Sequence, residues 1–159
     1  MQKSKEEEFV WYACYGSNIN YSRFMRYINR CTDETPPEES RAFHIPYNIY
    51  FAKYTSKWEG AKAFLDISKP GFAYGRIYKI TKEQYEEVKR MEGPDYRQKV
   101  DLGYVDDIPV YSFTDTKTNY DNNNPSDKYC NIILDGLIET YGNVLNEETL
   151  RKYIEKAKK

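Results

Sequence analysis

Residues 8–18 read Glu-Phe-Val-Trp-Tyr-Ala-Cys-Tyr-Gly-Ser-Asn, a stretch in which an apolar run gives way to a polar turn. The β-branched and aromatic residues that follow the first charge predict a buried strand over residues 8–14. Further along the chain, Asn20 can cap a short helix. The apolar residues of that helix fall at helical spacing, at Phe24, Tyr27 and Ile28. The segment Tyr15-Gly16-Ser17-Asn18 therefore joins a buried strand to a helix.

The remaining elements alternate between strand and helix without a strict βαβ order. Residues 31–41 are predicted to form a loop. Strands are predicted near residues 45–54, 61–67, 71–80, 96–105 and 108–114. A capping box at Thr81 begins a helix that ends at Glu92, before a Gly-Pro pair. Two more helices are predicted to start at Asn124-Pro125-Ser126-Asp127, with Pro in the first turn, and at Asn146. An α+β fold with a mixed sheet is therefore favoured over a doubly wound fold.

Composition excludes several classes of protein. The 159 residues carry 24 basic and 25 acidic side chains, so the formal net charge is −1, and one domain over residues 1–159 is expected. The 17 tyrosines supply rings for a core that is poor in leucine and valine. A nucleic-acid binder would need a basic surface, so we expect no nucleic-acid partner. The longest apolar run, residues 9–15, is too short to span a membrane, so no membrane partner is expected.

Cysteine and histidine usage limits the candidate chemistry further. The three cysteines, Cys14, Cys31 and Cys130, lack CxxC spacing, so neither a disulfide framework nor a zinc site is predicted. The charged N-terminal residues lack the apolar stretch of a signal peptide, and we expect a cytoplasmic protein with reduced thiols. His44 is the only imidazole available as a base, which disfavours a Cys–His or Ser–His enzyme without excluding it.

The turn at residues 15–18 is the first candidate for chemistry. Gly16 lets the backbone approach a ligand closely, and amide groups at a helix start point outward as donors to an anion or oxyanion. The alternative is an ordinary turn in which Ser17 and Asn18 only cap the helix. The pattern alone leaves both interpretations open.

Glu92 is the second candidate. It shares the apolar face of its predicted helix with Tyr85 and Val88, so it is expected to face the core. Burial and the negative end of the helix dipole both raise the pKa of a carboxyl group there, as a general base working near neutrality requires. The alternative is a frayed helix end from which Glu92 turns outward.

These segments resemble blocks of the gamma-glutamylcyclotransferase family, in the family's order and over residues 12 to about 137. Residues 12–18 resemble its YFAYGSN loop, and Trp58-Glu-Gly-Ala-Lys-Ala resembles its W-x-G-G-x-A turn. The strand beginning at Gly75, followed by Met91-Glu92-Gly93 and Tyr96, resembles the segment that carries the family's catalytic Glu. Pro125 to Tyr129 resembles its P-S-x-x-Y helix start. The chain departs from the pattern at three positions: Ile19 for Leu, Ala61 for Gly and Lys89 for Asp.

The resemblance implies a small mixed β-barrel with flanking helices and a cavity beside the YGSN loop. It implies that Glu92 is the general acid and base for release of 5-oxoproline from a gamma-glutamyl compound by attack of the substrate's own α-amine. The implied substrate-binding residues are Tyr12, Ala13, Cys14, Tyr15, Gly16, Ser17, Asn18 and Tyr129. That reaction needs no metal and no cofactor, and its partner is a small gamma-glutamyl molecule bound by a monomer or homodimer.

Other interpretations of the same residues stay open. The chain could be a non-catalytic binding or interaction module of this fold, or an amidohydrolase that uses water and releases glutamate. Tyr129 could be a core aromatic residue with a satisfied hydroxyl. Cys14 is expected to be a small buried apolar residue of the strand.

Overall fold

The computed structural model describes residues 8–115 and 124–158, which form seven strands, four α-helices and two short 3₁₀ turns. The strands are β1 (Phe9–Cys14), β2 (Glu39–Ile45), β3 (Asn48–Thr55), β4 (Gly60–Asp66), β5 (Ala73–Thr81), β6 (Gln98–Val105) and β7 (Ile108–Thr114). The helices are α1 (Tyr21–Ile28), α2 (Lys82–Glu92), α3 (Asp127–Tyr141) and α4 (Glu147–Ala157). The 3₁₀ turns are Ser17–Ile19 and Pro94–Tyr96.

Strand β1 is the centre of a five-stranded mixed sheet with the order β2-β5-β1-β7-β6. It runs antiparallel to β5 and parallel to β7, so Tyr12 lies opposite Tyr78 on one side and Tyr111 on the other. Residues 10–14 are all buried, because elements cover both faces of this central strand. The polar turn that follows β1 therefore starts from a rigid position in the middle of the sheet.

Strands β3 and β4 pair with each other as a separate two-stranded sheet. The hydroxyl of Thr114, at the end of β7, donates to the Leu65 carbonyl of β4 and accepts from the Leu65 amide, each at 2.9 Å. The Thr114 side chain thus links the five-stranded sheet to the two-stranded sheet. The predicted α+β fold with a mixed sheet and flanking helices is confirmed, but within the described residues the strands form two sheets and no closed barrel.

Two strand predictions need correction. Residues 31–41 were predicted to be a loop, but β2 begins at Glu39 and pairs along β5 from Glu39 opposite Lys79 to Ile45 opposite Ala73. As an edge strand β2 is largely polar and only Ile45 is buried, so its composition resembles that of a loop. The single strand predicted near 45–54 is consequently divided between the end of β2 and β3.

Helix caps place the residues that matter for the site. The predicted capping box at Thr81 is confirmed, with the Thr81 hydroxyl accepting from the Gln84 amide at 3.0 Å, and α2 ends at Glu92 as predicted. The Ser126 hydroxyl caps α3 by accepting from the Tyr129 amide at 3.2 Å, so Pro125 precedes the cap instead of lying in the first turn. Glu92 is thereby the last residue of one helix, and Tyr129 lies in the first turn of another.

None of the helices formed by residues 8–115 and 124–158 has the length and apolar character needed to cross a membrane.

Candidate active site

A cavity of about 210 Å³ lies where the end of β1, the end of α2 and the start of α3 meet. Its lining includes every residue that the sequence singled out for catalysis or binding: Tyr12, Ala13, Cys14, Tyr15, Gly16, Ser17, Asn18, Glu92 and Tyr129. The structure therefore brings three segments that are far apart in the chain to one place. Their roles in binding or catalysis stay predictions.

The carboxyl group of Glu92 is held from one side. The Tyr12 hydroxyl donates a short hydrogen bond to Glu92 Oε1, and Asn18 Nδ2 lies 3.5 Å from the same oxygen. Among the described residues no hydrogen bond engages the other oxygen, Oε2. Part of the Glu92 surface remains exposed. This arrangement fixes the carboxyl group while leaving one oxygen for a ligand.

The surroundings of Glu92 raise its pKa. The dominant cause is removal of the carboxyl group from water, which disfavours its charged form. The Tyr12 hydroxyl, Lys62 and Lys57 act in the opposite direction without cancelling this effect. Burial and the nearby Glu92 charge raise the pKa of Tyr12 well above its ordinary value, so its hydroxyl keeps the proton that it donates. Tyr12 thus acts as a hydrogen-bond donor that does not ionise, and Glu92 is a carboxylate that accepts a proton more readily than an exposed Glu.

Gly16 makes a close contact that a side chain would disturb. Its φ is −115°, outside the left-handed region, so the turn does not need glycine for that angle. A Cβ at this position would lie 3.2 Å from the Tyr129 hydroxyl oxygen and 3.3 Å from Ala63 Cβ. The Tyr129 hydroxyl also accepts from the Ala63 amide at 3.0 Å, which holds it in place. Glycine therefore lets the turn lie directly against Tyr129.

The turn leaves three backbone donors available. The Ile19 and Asn20 amides donate to the carbonyls of Gly16 and Ser17, each at 3.1 Å, which closes the 3₁₀ turn. In the described part of the chain, the amides of Gly16, Ser17 and Asn18 donate to no acceptor. Amides at such a turn can bind an anionic group or stabilise an oxyanion.

Two of the predicted residues contribute little polar chemistry. The Tyr15 hydroxyl donates to the Phe113 carbonyl at 2.7 Å, so its hydrogen-bonding group is already engaged. Cys14 is buried, and burial raises the pKa of its thiol well above the ordinary value, as expected for an apolar strand residue.

His44 does not line the cavity and packs instead against Phe72 and Tyr74. No thiol–imidazole or hydroxyl–imidazole pair forms in the cavity.

Sequence reasoning missed the cationic residues of the cavity. Arg23 comes from α1, Lys57 from the β3–β4 turn and Lys62 from β4. Two aromatic residues of the lining were also missed, namely Tyr27, from the same helix as Arg23, and Phe113, from β7. Each belongs to an element whose position relative to Glu92 depends on tertiary packing, so no local pattern could assign it. Across residues 8–115 and 124–158, no three His, Cys, Asp or Glu side chains gather where they could hold a metal ion.

Comparison with known proteins relates this arrangement to solved structures. No protein-family model matches the chain, and no curated protein matches it significantly. A solved structure described as a gamma-glutamyl cyclotransferase superposes with a TM-score of 0.69 at 21% identity, covering 91% of this chain and 87% of its own. The chain has the fold of a gamma-glutamyl cyclotransferase. An uncharacterized protein from Homo sapiens has the same fold, with a TM-score of 0.68, 23% identity and coverage of 96% and 89%.

Within this gamma-glutamyl cyclotransferase fold, the three departures from the family pattern lie outside the cavity lining. Ile19 and Ala61 are fully buried, and Lys89 is exposed on α2, 4.0 Å from Glu86. None of the three replacements removes a polar group from the surroundings of Glu92.

Proposed function

We propose that this chain catalyses the release of 5-oxoproline from a gamma-glutamyl compound, with Glu92 as general acid and base. The observation that carries the proposal is the state of the Glu92 carboxyl group: it lies in the cavity, its pKa is raised, and one of its oxygens accepts a hydrogen bond from Tyr12. The shared fold with a solved gamma-glutamyl cyclotransferase supports this reaction class.

The proposed reaction moves protons without a metal or cofactor. Glu92 takes a proton from the substrate α-ammonium, and the amine nitrogen then attacks the γ-carbonyl carbon to form the lactam bond. Glu92 returns this proton to the nitrogen of the breaking isopeptide bond and transfers a second proton from the attacking nitrogen to the same leaving nitrogen. Of the three ammonium protons, one stays on the lactam nitrogen and two leave on the released amine, so no water is consumed. A carboxylate positioned for such transfers contributes roughly 10²–10⁴-fold in rate.

The YGSN turn supplies binding in this proposal. The amides of Gly16, Ser17 and Asn18 bind the α-carboxylate and the oxyanion that develops on the γ-carbonyl oxygen. A well-placed donor of this kind contributes about 3–4 kcal/mol to transition-state stabilisation. Tyr129 packs against the turn and limits the space, which favours the folded substrate conformation needed for ring closure.

The proposal is tested by incubating the protein with a panel of gamma-glutamyl amino acids, peptides and amines and measuring 5-oxoproline and glutamate. We expect 5-oxoproline and an equimolar amount of released amine from at least one member. Glutamate in place of 5-oxoproline would identify an amidohydrolase. Saturable binding without either product would identify a non-catalytic module, although a pure binder gains nothing from a carboxylate whose burial costs stability.

We further propose a cytoplasmic monomer or homodimer. Cys14, Cys31 and Cys130 are all buried and free, as is typical of proteins in a reducing compartment.

A further inference from the structure

Two cations lie at the mouth of the cavity without a carboxylate partner in the described chain. Arg23 is half-buried and Lys57 is exposed, and neither forms an ion pair with an Asp or Glu of residues 8–115 and 124–158. Lys62, which lines the same cavity, lies 2.5 Å from Asp95 Oδ2. Of these three cations of the cavity, one has an ion-pair partner, and the other two form no ion pair within residues 8–115 and 124–158, although the Glu92 charge acts on Lys57 from inside the cavity.

Trp58 holds these two cations beside the turn that follows β1. The Arg23 guanidinium carbon lies 4.6 Å from the centre of the Trp58 ring, and Lys57 Nζ lies 6.0 Å from it. Trp58 is buried and packs edge-on against Tyr129, with ring centres 4.9 Å apart. Because Tyr129 contacts Gly16, a ligand that extends outward from the turn past Tyr129 meets Arg23 and Lys57 next.

Further positive charge surrounds the pair. The pKa of Lys57 is lowered first by partial removal of its ammonium group from water and then by repulsion from Arg23, Arg26 and Arg30, while Glu92 acts in the opposite direction. Lys128 Nζ lies 5.9 Å from the centre of the Trp58 ring. A bound anion would relieve this repulsion, and among the described residues that line the cavity Glu92 is the only carboxylate.

We propose that Arg23 and Lys57 form a leaving-group subsite that binds carboxylates, so that the preferred substrates carry an acidic amino acid or acidic short peptide on the far side of the isopeptide bond. This inference rests on the proposed function, because it concerns the group that the reaction releases. The turn amides already provide for the glutamyl α-carboxylate, and the exposed position of Lys57 favours the outward-facing part of the substrate. Gamma-glutamyl alkylamines, which lack a carboxylate there, are expected to be poor substrates.

The test compares three substrates that differ only in the leaving group: gamma-glutamyl-glutamate, gamma-glutamyl-glutamine and gamma-glutamyl-propylamine. For the wild-type protein we expect kcat/KM for 5-oxoproline release to fall in that order, by about tenfold or more between the first and the last, since a hydrogen bond to a charged group is lost. Arg23→Met and Lys57→Met should each lower kcat/KM for the glutamate compound by a clearly larger factor than for the propylamine compound, on which Lys57 can act only through its effect on the pKa of Glu92. Lys152→Met, at an exposed residue of α4, is the matched control.

Charge reversal provides a second variant that does not depend on the packing of Arg23. Lys57 is exposed, so Lys57→Glu is expected to fold, with an unchanged Tm as the check. It should lower kcat/KM for gamma-glutamyl-glutamate and raise it for a gamma-glutamyl diamine.

The outcomes separate this inference from the function on which it rests. Equal losses for all three substrates in the Met variants would overturn the subsite, because Arg23 and Lys57 would then act on the glutamyl part or on the fold. A wild-type protein with no preference for the acidic leaving group would overturn it too. Absence of 5-oxoproline from every substrate would instead overturn the proposed function itself, and the inference with it.

Discussion

The cavity has two walls of opposite character. The inner wall, defined as Tyr12, Asn18 and Glu92, holds a single carboxyl group in hydrogen bonds and raises its pKa by removing water. The outer wall, defined as Arg23, Lys57 and Trp58, carries two cations stacked on an indole ring. Burial disfavours the ionised form of Glu92 on the inner wall, whereas the outer wall carries two positively charged side chains.

In the proposed reaction, the inner wall carries out the catalysis and the outer wall determines which substrates are preferred. A carboxyl group with a raised pKa can exchange protons with any amine placed beside it, so we expect the proton transfer at the inner wall to be the same for all gamma-glutamyl compounds. The cations at the mouth act mainly on the part of a ligand that reaches them, although Lys57 also lowers the pKa of Glu92. Substitutions in the inner wall should therefore lower turnover of every substrate, and substitutions in the outer wall should mainly change the ranking of substrates.

The largest effect is expected from Glu92→Gln. Glutamine preserves the shape and can still hydrogen-bond to Tyr12, but it cannot take a proton. We expect kcat to fall by roughly 10²–10⁴-fold for all substrates while the binding of a gamma-glutamyl compound changes little. Glu86→Gln, at an exposed residue of the same helix, is the matched control in steady-state assays. Retention of more than a few per cent of wild-type turnover would assign the base to another residue.

The same variant has an expected effect on stability. The folded protein raises the pKa of Glu92 above its unfolded value, so the contribution of this residue to stability is full at low pH and is lost as pH rises through the folded pKa. Glutamine avoids the cost of burying the ionised form. We therefore expect the Tm of Glu92→Gln at pH 7 to equal or exceed that of the wild type, and a clearly lower Tm would show that Glu92 has a structural role.

A smaller but still large loss of activity is expected from Gly16→Ala. The added methyl group would lie against the Tyr129 hydroxyl and Ala63, on the surface that faces the ligand. We expect kcat/KM to fall at least tenfold, which corresponds to about 1.4 kcal/mol, with a near-native melt. Gly103→Ala should behave in the opposite way: Gly103 has a φ of +89° and does not line the cavity, so alanine should cost about 1 kcal/mol of stability without changing kcat/KM. Unchanged kcat/KM with a lowered Tm in Gly16→Ala would demote the YGSN segment to a structural turn.

A modest change is expected when the inner wall loses one hydrogen bond. The Tyr12 hydroxyl lowers the pKa of Glu92, so Tyr12→Phe should raise it further. For the wild type, the acidic limb of the kcat/KM profile should already report a pKa above the ordinary Glu value of about 4.3. In Tyr12→Phe that limb should move to higher pH, and a limb that stays in place or moves to lower pH would contradict the hydrogen bond's proposed effect.

The smallest effect is expected from salt on the outer wall. Lys57 is exposed, so its attraction to a carboxylate is screened as ionic strength rises. The advantage of gamma-glutamyl-glutamate over gamma-glutamyl-glutamine should shrink between low and 0.5 M salt, while the rate for gamma-glutamyl-propylamine stays level. Parallel changes for all three compounds would place the salt effect elsewhere.

Sequence reasoning was strongest where structure is local. The strand before the YGSN turn, the Asn20 cap and the capping box at Thr81 all depend on residues a few positions apart, and each is present. The edge strand β2 was missed because edge strands tolerate polar residues such as those at 39–41. A closed barrel was expected, but the strands of the described residues form two separate sheets linked by the Thr114 side chain, and no local sequence pattern indicates how two sheets pack together.

In the candidate site, too, the features that depend on local sequence could be predicted and those that depend on tertiary packing could not. Glu92 could be singled out because a carboxyl group on an apolar helix face is unusual. The turn at residues 15–18 could be identified as part of the site through its resemblance to a known family. The hydrogen bond from Tyr12 to Glu92 joins residues 80 positions apart and depends on how α2 packs against β1. The outer wall combines α1 with the β3–β4 turn, so only the folded chain reveals it.

The most direct test of the central claim is the identity and oxygen content of the product formed from gamma-glutamyl-glutamate in oxygen-18-labelled water. If the substrate's own amine attacks with Glu92 as base, the wild type should release 5-oxoproline that contains no solvent oxygen, together with one equivalent of free glutamate from the leaving group, also unlabelled. Glu92→Gln should release neither above background. Glutamate labelled with oxygen-18 from the wild type would mean that water is the nucleophile, and this would contradict the account.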